Sequence, residues 1–221
     1  MNLGILRALG IVFFLYLTWR SLKDDYKDSD LIGWAWLAIV SFLVGSRVSY
    51  GLINFGVFKD VWEWLAVWKL GGANYVGGYL AMMGVTAWWL VKKEWKIWSF
   101  LEDVSSVWLV FLGFLTADEL LRAGLDINLA VPLFVLVLTL ILTAMIKNNY
   151  RSYVWYKSGK KGFVFLFANF CVWFLMTIFW VIGDKSVLGA VIAATLSLIS
   201  VAGLVILGEV IEPLKIYNRK R

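Results

Sequence analysis

The 221-residue chain contains no histidine, a single cysteine and two prolines. Without imidazole and with one thiol, zinc and haem sites, Ser-His-Asp triads and CxxC redox pairs all lack their parts, so no metal and no cofactor is expected. Cys171, set in an apolar run, reads as a small buried hydrophobe. Charge is also scarce, at 16% of residues. The polar stretches reach only about a dozen residues, too short for an extramembrane module to bury a core of its own. What is abundant is apolar surface: 62% hydrophobic residues and fourteen Trp, with a mean hydropathy of +0.80. That balance excludes an ordinary soluble domain and points to a membrane protein.

A helical span takes ~20 mostly apolar residues. Reading such runs between charged breaks gives seven segments, at 3–19, 31–55, 75–91, 97–117, 129–146, 163–182 and 187–208. Continuous runs of this length are not barrel strands, so the expected class is an all-α membrane protein with seven transmembrane helices. Residues 1–221 are expected to form a single polytopic membrane domain. The first run passes into Thr18, Trp19 and Arg20 without a small-residue cleavage pattern, so it reads as a retained span rather than a signal peptide. No lipobox-like Leu-x-x-Cys is present, so the chain is not expected to be a lipoprotein itself.

Of the 21 Lys and Arg residues, the seven-span arrangement puts fifteen on one side and four on the other, with Arg7 and Arg47 inside spans. The positive-inside bias places the N-terminus outside and the C-terminus in the cytoplasm. It also accounts for the net charge of +6 without any nucleic-acid partner. Between spans two and three, an outer arm at about 56–74 carries Trp62, Leu65 and Trp68 at helical spacing. It reads either as an aromatic belt anchor or as a lipid-facing arm that admits phospholipid.

A charge inside a span is costly and must be explained. Arg47 lies in Gly45-Ser46-Arg47-Val48-Ser49-Tyr50. It is either a fixed cation for a phosphate or carboxylate headgroup, with Tyr50 one turn away, or a snorkelling surface Arg. Arg7, closer to a terminus, reads as snorkelling. Glu102 and Asp103 are expected in the first turn of span four, complementing its dipole and pairing with nearby Lys. Asp118 and Glu119, with Arg122 at i+4 and i+3, read as a local ion pair or as part of a headgroup site with Arg47. Gly77 and Gly78 open span three on the same expected side as Arg47, where amides at a helix start attract anions and small residues also serve helix contacts.

The order of these features resembles the prolipoprotein diacylglyceryl transferase family, seven-span membrane enzymes with an external N-terminus. Gly45 to Tyr50 resembles the family's Gly-Gly-Arg-x-Gly-Tyr segment, and Tyr75-Val76-Gly77-Gly78 its aromatic-His-Gly-Gly, with Val76 in place of His. Gly71-Gly72 falls at the family's Gly-Gly turn, and Lys160-Lys161-Gly162 opens its closing layout. The family's Arg-x-x-Asn-Phe-x-Asn-Gly-Glu is replaced by the run from Ala117 to Gly124, and its later Arg-Phe-x-x-Glu-x-x-Arg by the uncharged run from Phe174 to Val181.

The resemblance implies a transferase of lipoprotein biosynthesis in the plasma (inner) membrane, moving diacylglycerol from phosphatidylglycerol to a lipobox cysteine. Its implied partners are an anionic phospholipid and prolipoprotein signal peptides. Only Arg47 and Tyr50 carry over residue by residue. With Gly77, Gly78 and Arg122 they make up the expected lipid-binding set, and Asp118 and Glu119 are the carboxylates open to a catalytic role. The alternative is a non-catalytic phospholipid-binding or scaffolding membrane protein, which the loss of the signature residues favours.

Overall fold

A computed structural model of the protein describes residues 5–54, 74–124, 126–153, 156, 158–183 and 187–208. Apart from Asn74, the arm expected at 56–74 lies outside them. The described residues form seven long α-helices and no strand: α1 (Ile5–Leu22), α2 (Asp28–Ile53), α3 (Tyr75–Lys92), α4 (Ile97–Ala123), α5 (Ile127–Lys147), α6 (Phe163–Ile182) and α7 (Val187–Gly208), with a 3-10 turn at Tyr150–Ser152.

Six of these helices are long and apolar enough to cross a membrane, so the chain is a multi-pass membrane protein. The seventh, α3, has 18 residues like α1, or ~27 Å at 1.5 Å per residue. Its three glycines, two tyrosines, two tryptophans and terminal Lys92 keep it below the hydropathy of a membrane span that the other six reach. Large apolar side chains lie on the outward faces, with Ile182, Val187 and Ile206 about four-fifths exposed in the isolated chain, as expected where lipid is the solvent.

The chain divides into two compact units. In the first, Phe14–Ile97, α2 packs along α3. Asp28 and Asp30 stand in the first turn of α2, where negative charge complements the dipole, and Asp30 meets Lys93 Nζ at 2.8 Å. Asn74 caps α3, its side chain accepting from the amides of Val76 and Gly77, which satisfies donors that a helix start otherwise leaves orphaned. Three glycines let the two helices meet closely. A Cβ at Gly45 would run into that of Ala81, one at Gly77 into Ser49 Oγ, and one at Gly78 would lie 2.8 Å from the Phe42 carbonyl oxygen. Further along, buried Trp34 donates its indole N–H to Thr86 Oγ1 at 3.2 Å.

The second unit comprises the chain from Trp98 onward together with the stretch up to Phe13. There α6 packs on both α5 and α7. On α7 the buried residues Ala190, Ala193, Ser197 and Ser200 recur at i+3 and i+4, a stripe of small side chains that lets neighbouring backbones approach. Asp126 caps α5 by accepting from the Asn128 amide at 2.9 Å. Gly162 precedes α6 with φ of 113°, a left-handed conformation that glycine adopts without a Cβ penalty.

Candidate functional site

In the first unit the region of interest is the last two turns of α2 and the first turn of α3. Arg47 is buried, with 6% of its surface exposed. Its guanidinium carbon stands 5.9 Å from the centroid of the Tyr50 ring, one helical turn away, at the range of a cation–π contact. Arg47 is therefore enclosed by protein rather than turned outward.

Gly77 and Gly78 are placed differently from the expected anion cradle. The Gly77 amide donates to Asn74 Oδ1 and the Gly78 amide to the Asn74 carbonyl, so both donors are engaged within the helix start. Their missing side chains make room for Phe42, Gly45 and Ser49 of α2. Arg47 lies two positions from both Gly45 and Ser49, ~200° round the helix, so it sits on another face of α2 from the glycine contact. Asn74 was not singled out from the sequence, although an Asn directly before an apolar helix is a recognisable start signal.

In the second unit a compact ionic cluster forms where α1 meets the end of α4. Asp118, itself buried, has Oδ2 2.7 Å from Arg7 Nε, and Arg122 Nη2, one turn further along α4, reaches the same oxygen. Arg7 Nη2 donates to Glu119 Oε1 at 3.4 Å. The expected Asp118–Arg122 pairing is thus present, but Arg7 is a full partner in it rather than a snorkelling residue. The apolar run that marked span four stopped at residue 117, whereas α4 continues to Ala123 and carries all three charged residues within helical structure.

A second polar centre surrounds Glu102, which is buried. Tyr150 donates its hydroxyl to Oε1 at 2.8 Å, and the Gly162 amide donates to Oε2 at 2.6 Å. Arg151 Nε in turn donates to the Tyr150 hydroxyl at 3.1 Å. The expectation that Glu102 and Asp103 occupy a first helical turn is corrected, because α4 already begins at Ile97 and both fall in the second turn. Asp103 does meet lysines, Lys147 at 3.7 Å and Lys161 at 3.8 Å. Burial, reinforced by the neighbouring carboxylate, pushes the Tyr150 hydroxyl up to about 12, and burial likewise raises that of Tyr156. Both remain protonated donors.

The family model of prolipoprotein diacylglyceryl transferase matches residues 2–116. That stretch contains Arg7, Arg47, Tyr50, Gly77 and Gly78, and ends immediately before Ala117, ahead of Asp118, Glu119 and Arg122. No curated protein and no solved structure matches the chain.

Proposed function

The chain belongs to the prolipoprotein diacylglyceryl transferase family, and on that premise we propose that it handles phosphatidylglycerol in the plasma membrane, with its N-terminus outside and its C-terminus in the cytoplasm. The reaction is transfer of diacylglycerol to the thiol of a lipobox cysteine on a prolipoprotein. The sulfur attacks the glyceryl carbon, the carbon–oxygen bond to the phosphate breaks, a thioether forms, and glycerol phosphate leaves with the thiol proton taken up by a base. Such chemistry needs a fixed cation at the phosphate. Arg47, enclosed at 6% exposure beside Tyr50, is the observation that carries this reading. The planar fork of a guanidinium suits a phosphate, which it can meet through paired N–H donors. The test is incubation of the purified protein with labelled phosphatidylglycerol and a lipobox peptide. Thioether product above a heat-killed control, lost in Arg47→Ala, supports the proposal, and unchanged phosphatidylglycerol binding by Arg47→Ala overturns the role given to that residue.

A second reading, a phospholipid-binding protein without transfer activity, rests on one specific observation. Asp118 and Glu119, the carboxylates open to a base role, are engaged by Arg7 and Arg122. Lipid binding without thioether product selects it.

A further inference from the structure

Asn74 is engaged on two helices at once. Its side chain accepts from the Val76 and Gly77 amides at the start of α3, and its own backbone amide crosses to α2 and donates to the Ser46 carbonyl oxygen at 3.0 Å. That oxygen belongs to the peptide unit whose nitrogen is the Arg47 amide, and a peptide unit is planar, so a bond that holds one end of the plane holds the other. The same oxygen also accepts from Ser49 Oγ at 3.2 Å. The peptide leading into Arg47 is thus fixed both from within α2 and from α3.

The Asn74 side chain keeps the crossing bond in place. The residue is extended, with φ of −107° and ψ of 102°, as is usual just outside a helix start, and its Oδ1 ties that conformation to the first amides of α3. Without the cap the first turn frays, and the amide aimed at Ser46 moves with it. On either side of this link the helices touch closely: the Tyr75 ring stacks on Phe42 at 6.1 Å, and Gly77 lies against Ser49. Arg47 stands on another face of α2 from these contacts, so it is the backbone that carries the constraint to it. Paired guanidinium donors meet a phosphate only within a narrow range of position and angle. A slackened turn therefore weakens the grip while every gripping atom is still present.

We propose that Asn74 is a positioning residue for Arg47: through the Ser46–Arg47 peptide it sets where the guanidinium stands, and so how firmly an anionic headgroup is held. This role rests on the phosphate-binding one given to Arg47, and it holds whether or not transfer follows binding.

The test titrates labelled phosphatidylglycerol against the purified full-length chain in detergent, with thermal unfolding followed alongside. Asn74→Ala is expected to weaken binding about fivefold, the scale of one lost helix cap, whereas Asn74→Ser, which keeps a capping oxygen, retains most of the parental affinity. Asp126→Ala removes the corresponding cap of α5 and is expected to lower the unfolding midpoint with binding unchanged, which separates positioning from a general loss of stability. In an Arg47→Ala background Asn74→Ala should have no further effect, because the group it acts through is gone. Should Asn74→Ala fail to fold, Asn74→Gly removes the same oxygen at less cost to the helix and is read in the same direction. Parental affinity in the Asn74 variant, an equal loss in Asp126→Ala, or an undiminished loss in the Arg47→Ala background overturns the proposal while the role of Arg47 stands. Unchanged binding by Arg47→Ala removes that role, and the role of Asn74 with it.

Discussion

At the scale of single residues, the charged side chains divide by how far away their partners lie in the sequence. Asp118 and Arg122 are one helical turn apart, and their pairing is legible from spacing alone. Arg7 is not legible in this way. Its partners lie more than a hundred positions along the chain, and an isolated sequence gives no register between α1 and α4. Replacing Asp118 with Asn removes the negative charge that Arg7 and Arg122 share and leaves them at most a neutral amide oxygen. We expect this to cost roughly 2–4 kcal/mol, below the figure for a fully buried pair because Arg7 is a third exposed and keeps Glu119. Thermal unfolding in detergent measures it, and an unchanged midpoint refutes the cluster's structural weight.

Tyr150 gives a pH signature of its own. Its folded value of about 12 exceeds the usual ~10 of an unfolded tyrosine, so the folded state favours the protonated hydroxyl. Its contribution to stability is therefore complete below the unfolded value and disappears as pH climbs through the folded one. Unfolding midpoints followed upward from that unfolded value should fall more steeply for the parent than for Tyr150→Phe; parallel curves would contradict the assignment.

At the scale of helices, apolar run length located every long helix that the structure describes, because in lipid a run of that size has no other way to satisfy its backbone. Boundaries were less legible where polar residues belong to the helix itself. Asp28 opens α2 three positions before the apolar run begins, and Asp118, Glu119 and Arg122 extend α4 past its apolar part. The glycine contact between α2 and α3 was legible as composition but not as geometry, since Gly77 and Gly78 fit an anion cradle and a close helix crossing equally well on paper. We expect Gly78→Ala to destabilise by about 1–3 kcal/mol, because its Cβ meets a rigid carbonyl of Phe42. At Gly84, within the same helix, a Cβ meets nothing, and alanine should be neutral or stabilising by ~0.5–1 kcal/mol. Equal melting shifts for the two variants would show that the crossing does not depend on the missing side chain.

For the whole molecule, the family likeness was legible in the order of features from Gly45 to Gly78, and that stretch falls inside the matched residues 2–116. The polar centre at Glu102 reaches out of that stretch, joining α4 to the Tyr150 turn and the start of α6 through hydrogen bonds spanning 48 and 60 positions. No local motif announces it. The charge bias across the spans supplies one further expectation. Cysteines placed singly, in a Cys171→Ser background, at Ser152 and Ser158 between α5 and α6 should be protected from a membrane-impermeant maleimide in intact cells. One placed at Asn74 should react, and the opposite pattern inverts the orientation.

The ion pairs of Arg7 also bear on how the protein is made. Glu119 follows Arg7 by 112 positions, so at synthesis rates of ~5–20 residues per second the first helix leaves the ribosome roughly 5–20 s before its counter-charge exists. Through that interval a nascent α1 carries an uncompensated guanidinium, which weakens its hold on the bilayer. Its final seating must wait for the arrival of α4, so that the opening helix settles only after α2 and α3 have been made.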